Sequence, residues 1–220
     1  MRRTRMKGGE RRTAIVACAI RLFAQKGFRG TTTRELATVL GVTEPVLYQH
    51  FQTKGDIYRA ILETKANETL ARSVELRKYA DAEDDSRFLA ALADLILSRY
   101  EQDESFIRLL LYSALERHEL SRVFFEQQLL QFHEMVASYI RKRIRKGAFR
   151  RTDAATSALA FIGMVSYHGL MLVLYPEPVI KRSRRKVIRE MVKAFLNGVC
   201  PPGDRRDSGR AATRRRKRVY

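Results

Sequence analysis

Residues 44–51 carry side chains that can read the edges of DNA bases. Pro45 and Val46 offer apolar contact to thymine methyl groups, and Gln49 can form a pair of hydrogen bonds with adenine. Glu44 can accept a hydrogen bond from cytosine, although an acidic residue in a helix's first turn also complements the helix dipole without touching DNA. At about 100° per residue, Pro45, Val46 and Gln49 point away from the apolar side of a helix. This pattern is typical of a helix that contacts a major groove, and it leaves both roles of Glu44 open.

Two short helices joined by a glycine-containing turn are predicted to position this face. Thr32 and Glu35 form a capping-box pattern that opens the first helix, over 33–40. Thr43 is expected to cap the second helix, over 44–51. The apolar side chains expected to hold both helices against the preceding one are Leu36, Leu40, Val42, Leu47 and Phe51. This arrangement is a helix-turn-helix, whose outer face is what a major groove would meet.

The stretch from Arg11 to Leu62 resembles the TetR family of bacterial repressors. The matching motifs, in order, are Leu22-Phe23-Ala24, Gly27-Phe28, Gly30-Thr31-Thr32, Glu35-Leu36-Ala37, Gly41-Val42-Thr43, Leu47-Tyr48, His50-Phe51 and Lys54. The resemblance implies a ligand-responsive repressor that binds a palindromic double-stranded DNA operator as a homodimer. It also implies that the last two helices of each subunit form the dimer interface.

The resemblance assigns further DNA contacts outside the base-reading face. Tyr48, His50 and Lys54 are expected to anchor phosphates, which fix the position of the protein without reading sequence. Ordinary surface packing is the alternative for Tyr48 and His50. Thr33 and Arg34 open the helix over 33–40, where backbone amides and the helix dipole favour a phosphate.

The charge of the chain is strongly positive and unevenly distributed. Lys and Arg total 43 against 24 Asp and Glu, which gives a net charge of +19 and a pI near 10.5. Residues 1–60 and 136–200 carry +8 and +11, whereas residues 61–135 carry −6. Such a surplus suggests a polyanionic partner, either nucleic acid or an anionic membrane surface. Residues 201–220 add +6 and are expected to form a disordered basic tail.

The sequence predicts an all-α fold in three parts. These are a helix-turn-helix domain over 1–54 with a basic arm at 1–11, a regulatory and dimerisation domain over 55–200, and the tail. The low content of 12 Gly and 5 Pro favours long helices. Beyond the helix-turn-helix, helices are expected over 54–80, 86–101 with Ser86 as its cap, 103–117, 125–146, 153–175 and 181–197.

The helices after residue 54 carry the side chains of a candidate effector pocket. The apolar and aromatic candidates are Phe106, Leu110, Phe125, Phe132, Met164, Tyr167 and Met171, and the polar ones are Tyr112, His133 and His168. Such a mixture fits a small apolar or aromatic effector, with methionines adapting to its shape. Each of these side chains is also explained as an ordinary core residue.

Other functional classes fit the sequence less well. Residues 154–176 lack charged side chains and are long enough to span a bilayer, but a helix buried in a protein core or at a dimer interface, with Gly163 and Gly169 allowing close approach, explains them equally. A basic protein on a membrane surface is the main alternative function.

No catalytic or metal-ligand spacing is present, so we predict no enzyme activity, cofactor or metal. Cys18 and Cys200 form no disulfide framework, and no signal peptide is apparent, which favours the bacterial cytoplasm, close to the nucleoid.

Overall fold

The protein is all-helical over the part of the chain that the computed structural model describes, residues 8–72, 74–175 and 182–200. The helices are α1 Gly8–Lys26, α2 Thr33–Leu40, α3 Glu44–Tyr48, α4 Lys54–Arg72, α5 Val74–Asp81, α6 Asp85–Gln102, α7 Glu104–Leu115, α8 Glu119–Phe124, α9 Leu130–Arg145, α10 Ala154–Leu174 and α11 Arg184–Val199. A π-helical turn, Phe125–Leu129, joins α8 to α9. The predicted fold class is confirmed. Most of the predicted arm and the whole tail lie outside the described residues.

The N-terminal core forms where α1, α2, α3 and the first half of α4 meet. Phe23, Leu36, Leu47 and Tyr58 are completely buried there. Gly41 ends α2 with a left-handed φ of 65°, and the following amide, on Val42, donates back to the Ala37 carbonyl at 2.9 Å. This is the hydrogen bonding of a Schellman motif, which glycine permits because it has no Cβ. The turn between α2 and α3 is therefore fixed by the local sequence.

The second core lies among α5, α6, α9, α10 and α11. α10 is long and apolar enough to cross a membrane by length and composition. It packs instead along α6 and α9, and its fully buried side chains include Phe161 and Val165. At the start of α6, Asp85 accepts hydrogen bonds from Tyr139 at 2.6 Å and from Arg143 at 2.7 Å. This polar cluster holds the end of α9 against α6.

Several predicted helix boundaries differ from the structure. Thr43 precedes α3 but makes no side-chain capping bond, and α6 is capped by the Asp84 carboxylate, which accepts from the Arg87 amide, rather than by Ser86. Asp and Ser both cap helices well, so the sequence did not distinguish Asp84 from Ser86 as the cap of α6. The helix predicted over 54–80 corresponds to α4 and α5, between which residue 73 lies outside the described residues.

Candidate nucleic-acid interface

The face of α3 that is predicted to read bases has the orientation that the helical spacing predicts. Pro45 and Gln49 are exposed and Val46 is half-buried, whereas Leu47 and Phe51 lie in the N-terminal core. α3 itself ends at Tyr48 rather than Phe51. Its last turn tightens, because the amides of His50 and Phe51 both donate to the Leu47 carbonyl, at 3.0 and 3.1 Å. The turn nevertheless holds all three predicted base-reading side chains on one outer surface.

Thr33 connects α2 to two residues of α3. Its Oγ1 donates to Oε1 of Glu44 at 2.7 Å and lies 3.3 Å from the Tyr48 hydroxyl. Tyr48 is 46% exposed. Sequence reasoning treated Thr33, Glu44 and Tyr48 as separate DNA contacts. The structure brings them into one hydrogen-bonded group that fixes α3 relative to α2.

Arg12 of α1 is a member of this region that sequence reasoning missed. Its Nη1 donates to the His50 carbonyl at 3.1 Å, and its guanidinium lies 4.2 Å from the centre of the Phe51 ring. The carbonyl end of a short helix attracts a cation, and an arginine stacks well on an aromatic face. Arg12 therefore secures the end of α3, while His50 is half-buried beside it. The sequence signal was weak, because many basic residues occur near the N-terminus.

Lys54 is half-buried, and its ammonium is held by backbone carbonyls of the same domain. Its Nζ donates to the carbonyls of Phe28 at 2.7 Å and Thr31 at 2.8 Å, and lies 4.3 Å from the centre of the Phe28 ring. Burial lowers the pKa of the Lys54 ammonium, and the nearby Glu116 carboxylate partly opposes that effect. In this arrangement Lys54 binds the start of α4 to the loop between α1 and α2.

The predicted capping box at the start of α2 is present. The Glu35 amide donates to Thr32 Oγ1 at 3.1 Å, and the Thr32 amide donates back to the Glu35 carboxylate at 2.9 Å. Hydrogen bonds from Lys26 and from the Thr32 backbone lower the pKa of Glu35. Arg34, the next predicted phosphate contact, is exposed beside this cap.

The end of α7 contacts the helix-turn-helix domain directly. The His118 ring packs against Phe28 at a tilt, with ring centres 4.2 Å apart, and the buried Tyr58 hydroxyl donates to Ser113 Oγ at 2.9 Å. The Glu116 carboxylate packs against Gly27, where a Cβ would collide with it. Burial lowers the pKa of His118. These contacts join α7 and the residues that follow it to the loop that Lys54 also binds.

The candidate effector residues occupy several different environments. Phe106 is completely buried with the N-terminal core, whereas Phe132 and Met164 are half-buried against the second core. Exposed positions are taken by Tyr112, Phe125 and Tyr167, and half-buried ones by Leu110, His133, His168 and Met171. An open crevice lies elsewhere, between the start of α10 and the end of α11.

Comparison with known protein families decides the assignment. The sequence model for bacterial regulatory proteins of the tetR family matches residues 15–61, which cover most of α1, all of α2 and α3, and the start of α4. The model for the AefR-like transcriptional repressor C-terminal domain matches residues 86–198, just over half of the chain.

The chain belongs to the TetR family.

Relatives of this TetR-family protein match it along most of its length. The repressor KstR2 of Rhodococcus jostii is 26% identical over 196 residues, which are 87% of this chain and 92% of KstR2. A regulator from Saccharomonospora viridis solved with choline superposes with a TM-score of 0.69 at 22% identity, covering 88% of this chain and all of that one. AibR, solved with isovaleryl coenzyme A and operator DNA, gives a TM-score of 0.65 at 20% identity over 84% of this chain and 98% of its own.

Family membership confirms the functional class. This TetR-family protein is a cytoplasmic DNA-binding regulator of the ligand-responsive repressor type, and not an enzyme. The alternative of a basic protein on a membrane surface is not favoured.

Proposed function

We propose that this repressor binds a near-palindromic operator as a homodimer, with one α3 in the major groove of each half-site. The observation that carries the proposal is the outer surface of α3, where Pro45 and Gln49 are exposed above the buried Leu47. Two-fold symmetry then requires half-sites about 34–36 Å apart along the duplex.

The proposed contacts divide into two kinds. Pro45, Val46 and Gln49 read base edges, with Glu44 as a further reader. Phosphate contacts come from Tyr48, His50 and Arg34, which fix the register of α3. Lys54 contributes indirectly, since two carbonyls already hold its ammonium. Binding concentrates the protein on the nucleoid.

The proposed dimer interface is the uncovered face of α10 together with α11. Leu159, Tyr167 and Leu174 are 58%, 65% and 49% exposed, and a Cβ at Gly163 would meet nothing within 4 Å. Positions 159, 163, 167 and 174 recur at helical spacing along one side of α10. An apolar face of this kind is typical of a surface buried by a second subunit.

The proposed effector is a small apolar or aromatic molecule bound between α8, α9 and α10, near Phe132 and Met164. Two features support this location. The π-helical turn that precedes α9 contains no buried residue, and its Phe125 and Leu129 are 49% and 40% exposed. π-helical turns within helices occur frequently at functional sites. Binding there would displace α7 and, through His118 and Phe28, alter the spacing of the two α3 helices.

The effector proposal is tested by a thermal-shift screen of hydrophobic metabolites and drugs, followed by fluorescence anisotropy of a labelled operator. Phe132→Ala and Met164→Ala should each weaken effector binding and operator release by about tenfold, as loss of a buried apolar contact does. Leu115→Ala is the matched control, because Leu115 is 82% exposed at the end of α7. If both pocket variants respond to a confirmed effector as the unmodified protein does, the site lies elsewhere.

A further inference from the structure

The carboxylate of Glu116 lies between the end of α7 and the helix-turn-helix domain. Glu116 follows the last residue of α7, and its side chain packs against Gly27, which follows the last residue of α1. The carboxylate is therefore close to the carbonyl ends of two helices, where the helix dipoles disfavour a negative charge. Oε2 of Glu116 is buried and has no hydrogen-bond partner in the described part of the chain. Most buried polar atoms are paired, so this exception requires an explanation.

Two basic side chains lie near Glu116 without donating to its Oε2. Burial lowers the pKa of Lys54 and of His118, and the charge of Glu116 opposes that effect in both, so both are within its electrostatic reach. The Lys54 ammonium nevertheless donates to the carbonyls of Phe28 and Thr31, and the His118 ring packs against Phe28. Packing, rather than a hydrogen bond, therefore holds Oε2 in its place.

The backbone immediately after Glu116 is strained. Arg117 has a left-handed φ of 49°, whereas the residues with comparable φ after α2 and α9 are glycines, Gly41 at 65° and Gly147 at 75°. Glycine adopts this conformation readily, but a Cβ makes it unfavourable. Strain of this kind persists only where the surrounding structure holds it, and it is concentrated at functional sites. The end of α7 thus combines a strained residue with a carboxylate oxygen that has no donor.

A series of hydrogen bonds leads from Gly27 to α3. The Gly27 carbonyl accepts from the hydroxyl of Thr31 at 2.9 Å, and Thr31 is completely buried. The Thr31 carbonyl in turn accepts from Lys54 at 2.8 Å, which ties the loop to the start of α4. Two residues further along the chain, Thr33 binds Glu44 of α3. The contact at Gly27 therefore lies at the base of the loop that supports α2 and α3.

We propose that Glu116 is a positioning residue for operator binding: its carboxylate, packed against Gly27, sets the position of the loop between α1 and α2 and hence the orientation of α3. This inference rests on the proposed contact between α3 and the operator. Because no donor retains Oε2, a shift of α7 removes the contact without breaking a hydrogen bond at that atom. A contact that is left at low cost suits a ligand-responsive repressor, since an effector can shift an equilibrium only by its differential affinity for the two states.

The test displaces the carboxylate by a substitution on the opposite side of the contact. A Cβ at Gly27 would collide with Oε1 of Glu116, which is the far end of a side chain that can turn away. Binding is measured by fluorescence anisotropy with the full chain and a duplex that the unmodified protein selects from a randomised pool. We expect Gly27→Ala to bind this duplex at least about fivefold more weakly, as loss of a coupling contact does.

A double-mutant cycle assigns the effect to Glu116. Glu116→Ala removes both the packing contact and the collision, so Gly27→Ala should add less than about twofold to its effect. The conservative variant Glu116→Gln keeps the shape of the side chain and offers donors at the carbonyl ends of α1 and α7. It should rescue the affinity that Glu116→Ala loses, and its urea unfolding midpoint should be no lower than that of the unmodified protein.

The matched control is Gly147→Ala. Gly147 has nearly the same φ as Gly27, 75° against 74°, but a Cβ there would meet nothing within 4 Å. Gly147→Ala should therefore lose stability through backbone strain and keep its affinity for the duplex. Hydrogen exchange over residues 33–51, followed by mass spectrometry without DNA, should be faster in Gly27→Ala than in Gly147→Ala.

Three outcomes would overturn the inference. These are additive effects of Gly27→Ala and Glu116→Ala, an equal loss of affinity in Gly147→Ala, and equal exchange over residues 33–51 in the two alanine variants. A failure of the operator proposal is distinguishable, because it would appear as selection of no near-palindrome by the unmodified protein, whereas the exchange comparison requires no DNA.

Discussion

The hydroxyl of Thr33 donates a 2.7 Å hydrogen bond to the Glu44 carboxylate, and so joins the first turn of α2 to the first turn of α3. The bond uses one oxygen of Glu44 and leaves the side chain half-buried. A carboxylate held in this way has a fixed direction, which is what reading a cytosine amino group requires. It also repels phosphates that approach from other directions.

Replacing Thr33 by Val should test the role of this hydrogen bond, because Val keeps the shape of Thr and removes the hydroxyl. We expect operator affinity to fall about 2- to 10-fold, in line with about 0.5–1.5 kcal/mol for one hydrogen bond, and base preference opposite Glu44 to relax. Thr38→Val is the control, since Thr38 Oγ1 donates only to Arg34 within α2. The affinity is measured by fluorescence anisotropy with duplexes that each differ from the operator at one base pair. Equal behaviour of the two variants would refute a positioning role for Thr33.

Lys54 should contribute to stability rather than mainly to DNA contact. Lys54→Met should lower the free energy of unfolding by about 1–3 kcal/mol, because it leaves the Phe28 and Thr31 carbonyls without their donor. Lys26→Met, which breaks only an exposed pair with Glu35, should cost less than about 1 kcal/mol. Urea unfolding followed by circular dichroism measures both. Unchanged stability together with lost DNA affinity would restore Lys54 as a phosphate anchor.

The two glycines of α10 should behave differently. A Cβ at Gly169 would lie 2.5 Å from the Tyr100 ring of the same subunit, whereas one at Gly163 meets nothing within 4 Å. Gly169→Ala should therefore overpack the core and cost about 1–3 kcal/mol of folding stability. Gly163→Leu should leave the subunit folded and weaken the dimer. Urea unfolding and sedimentation velocity distinguish these effects, and an undisturbed dimer in Gly163→Leu would move the interface away from this face.

His118 should make stability dependent on pH. Burial lowers its pKa below the usual value of 6.5, so the folded state prefers the neutral imidazole. The stabilising effect of the neutral imidazole is complete above that value and is lost as the pH falls below it through the lower pKa of the folded state. The charged groups that act on His118 are Glu116, Arg29, Lys54 and Glu119.

The control for this prediction is His118→Phe, which keeps a ring against Phe28 but cannot titrate. Unfolding between pH 8 and pH 5.5 should show a smaller loss of stability in His118→Phe than in the unmodified protein. This window lies above the titration of Glu35 and Asp56, whose pKa values are lowered by hydrogen bonds from Lys26 and Arg59, respectively. Identical pH profiles for the two proteins would contradict the prediction.

Local sequence signals predicted much of the fold. The capping box of Thr32 and Glu35 and the glycine turn at Gly41 specify α2 because each depends on neighbours within a few residues. The outward face of α3 followed from helical periodicity. The bonds of Arg12 to His50 and of Lys54 to Phe28 join residues 38 and 26 positions apart, and no local pattern records such contacts. The close approach expected at Gly169 is made to Tyr100 of the same subunit, another contact that no local pattern records.

The most direct test of the account is selection of DNA from a randomised pool by the unmodified protein, Gln49→Ala and Tyr48→Ala. The unmodified protein should enrich a near-palindrome with half-sites about 34–36 Å apart. Gln49→Ala should lose preference at one or two positions of each half-site, by about 1–3 kcal/mol, whereas Tyr48→Ala should keep the same sequence at lower affinity. Enrichment of no palindrome, or a changed base preference in Tyr48→Ala with affinity intact, would contradict the account.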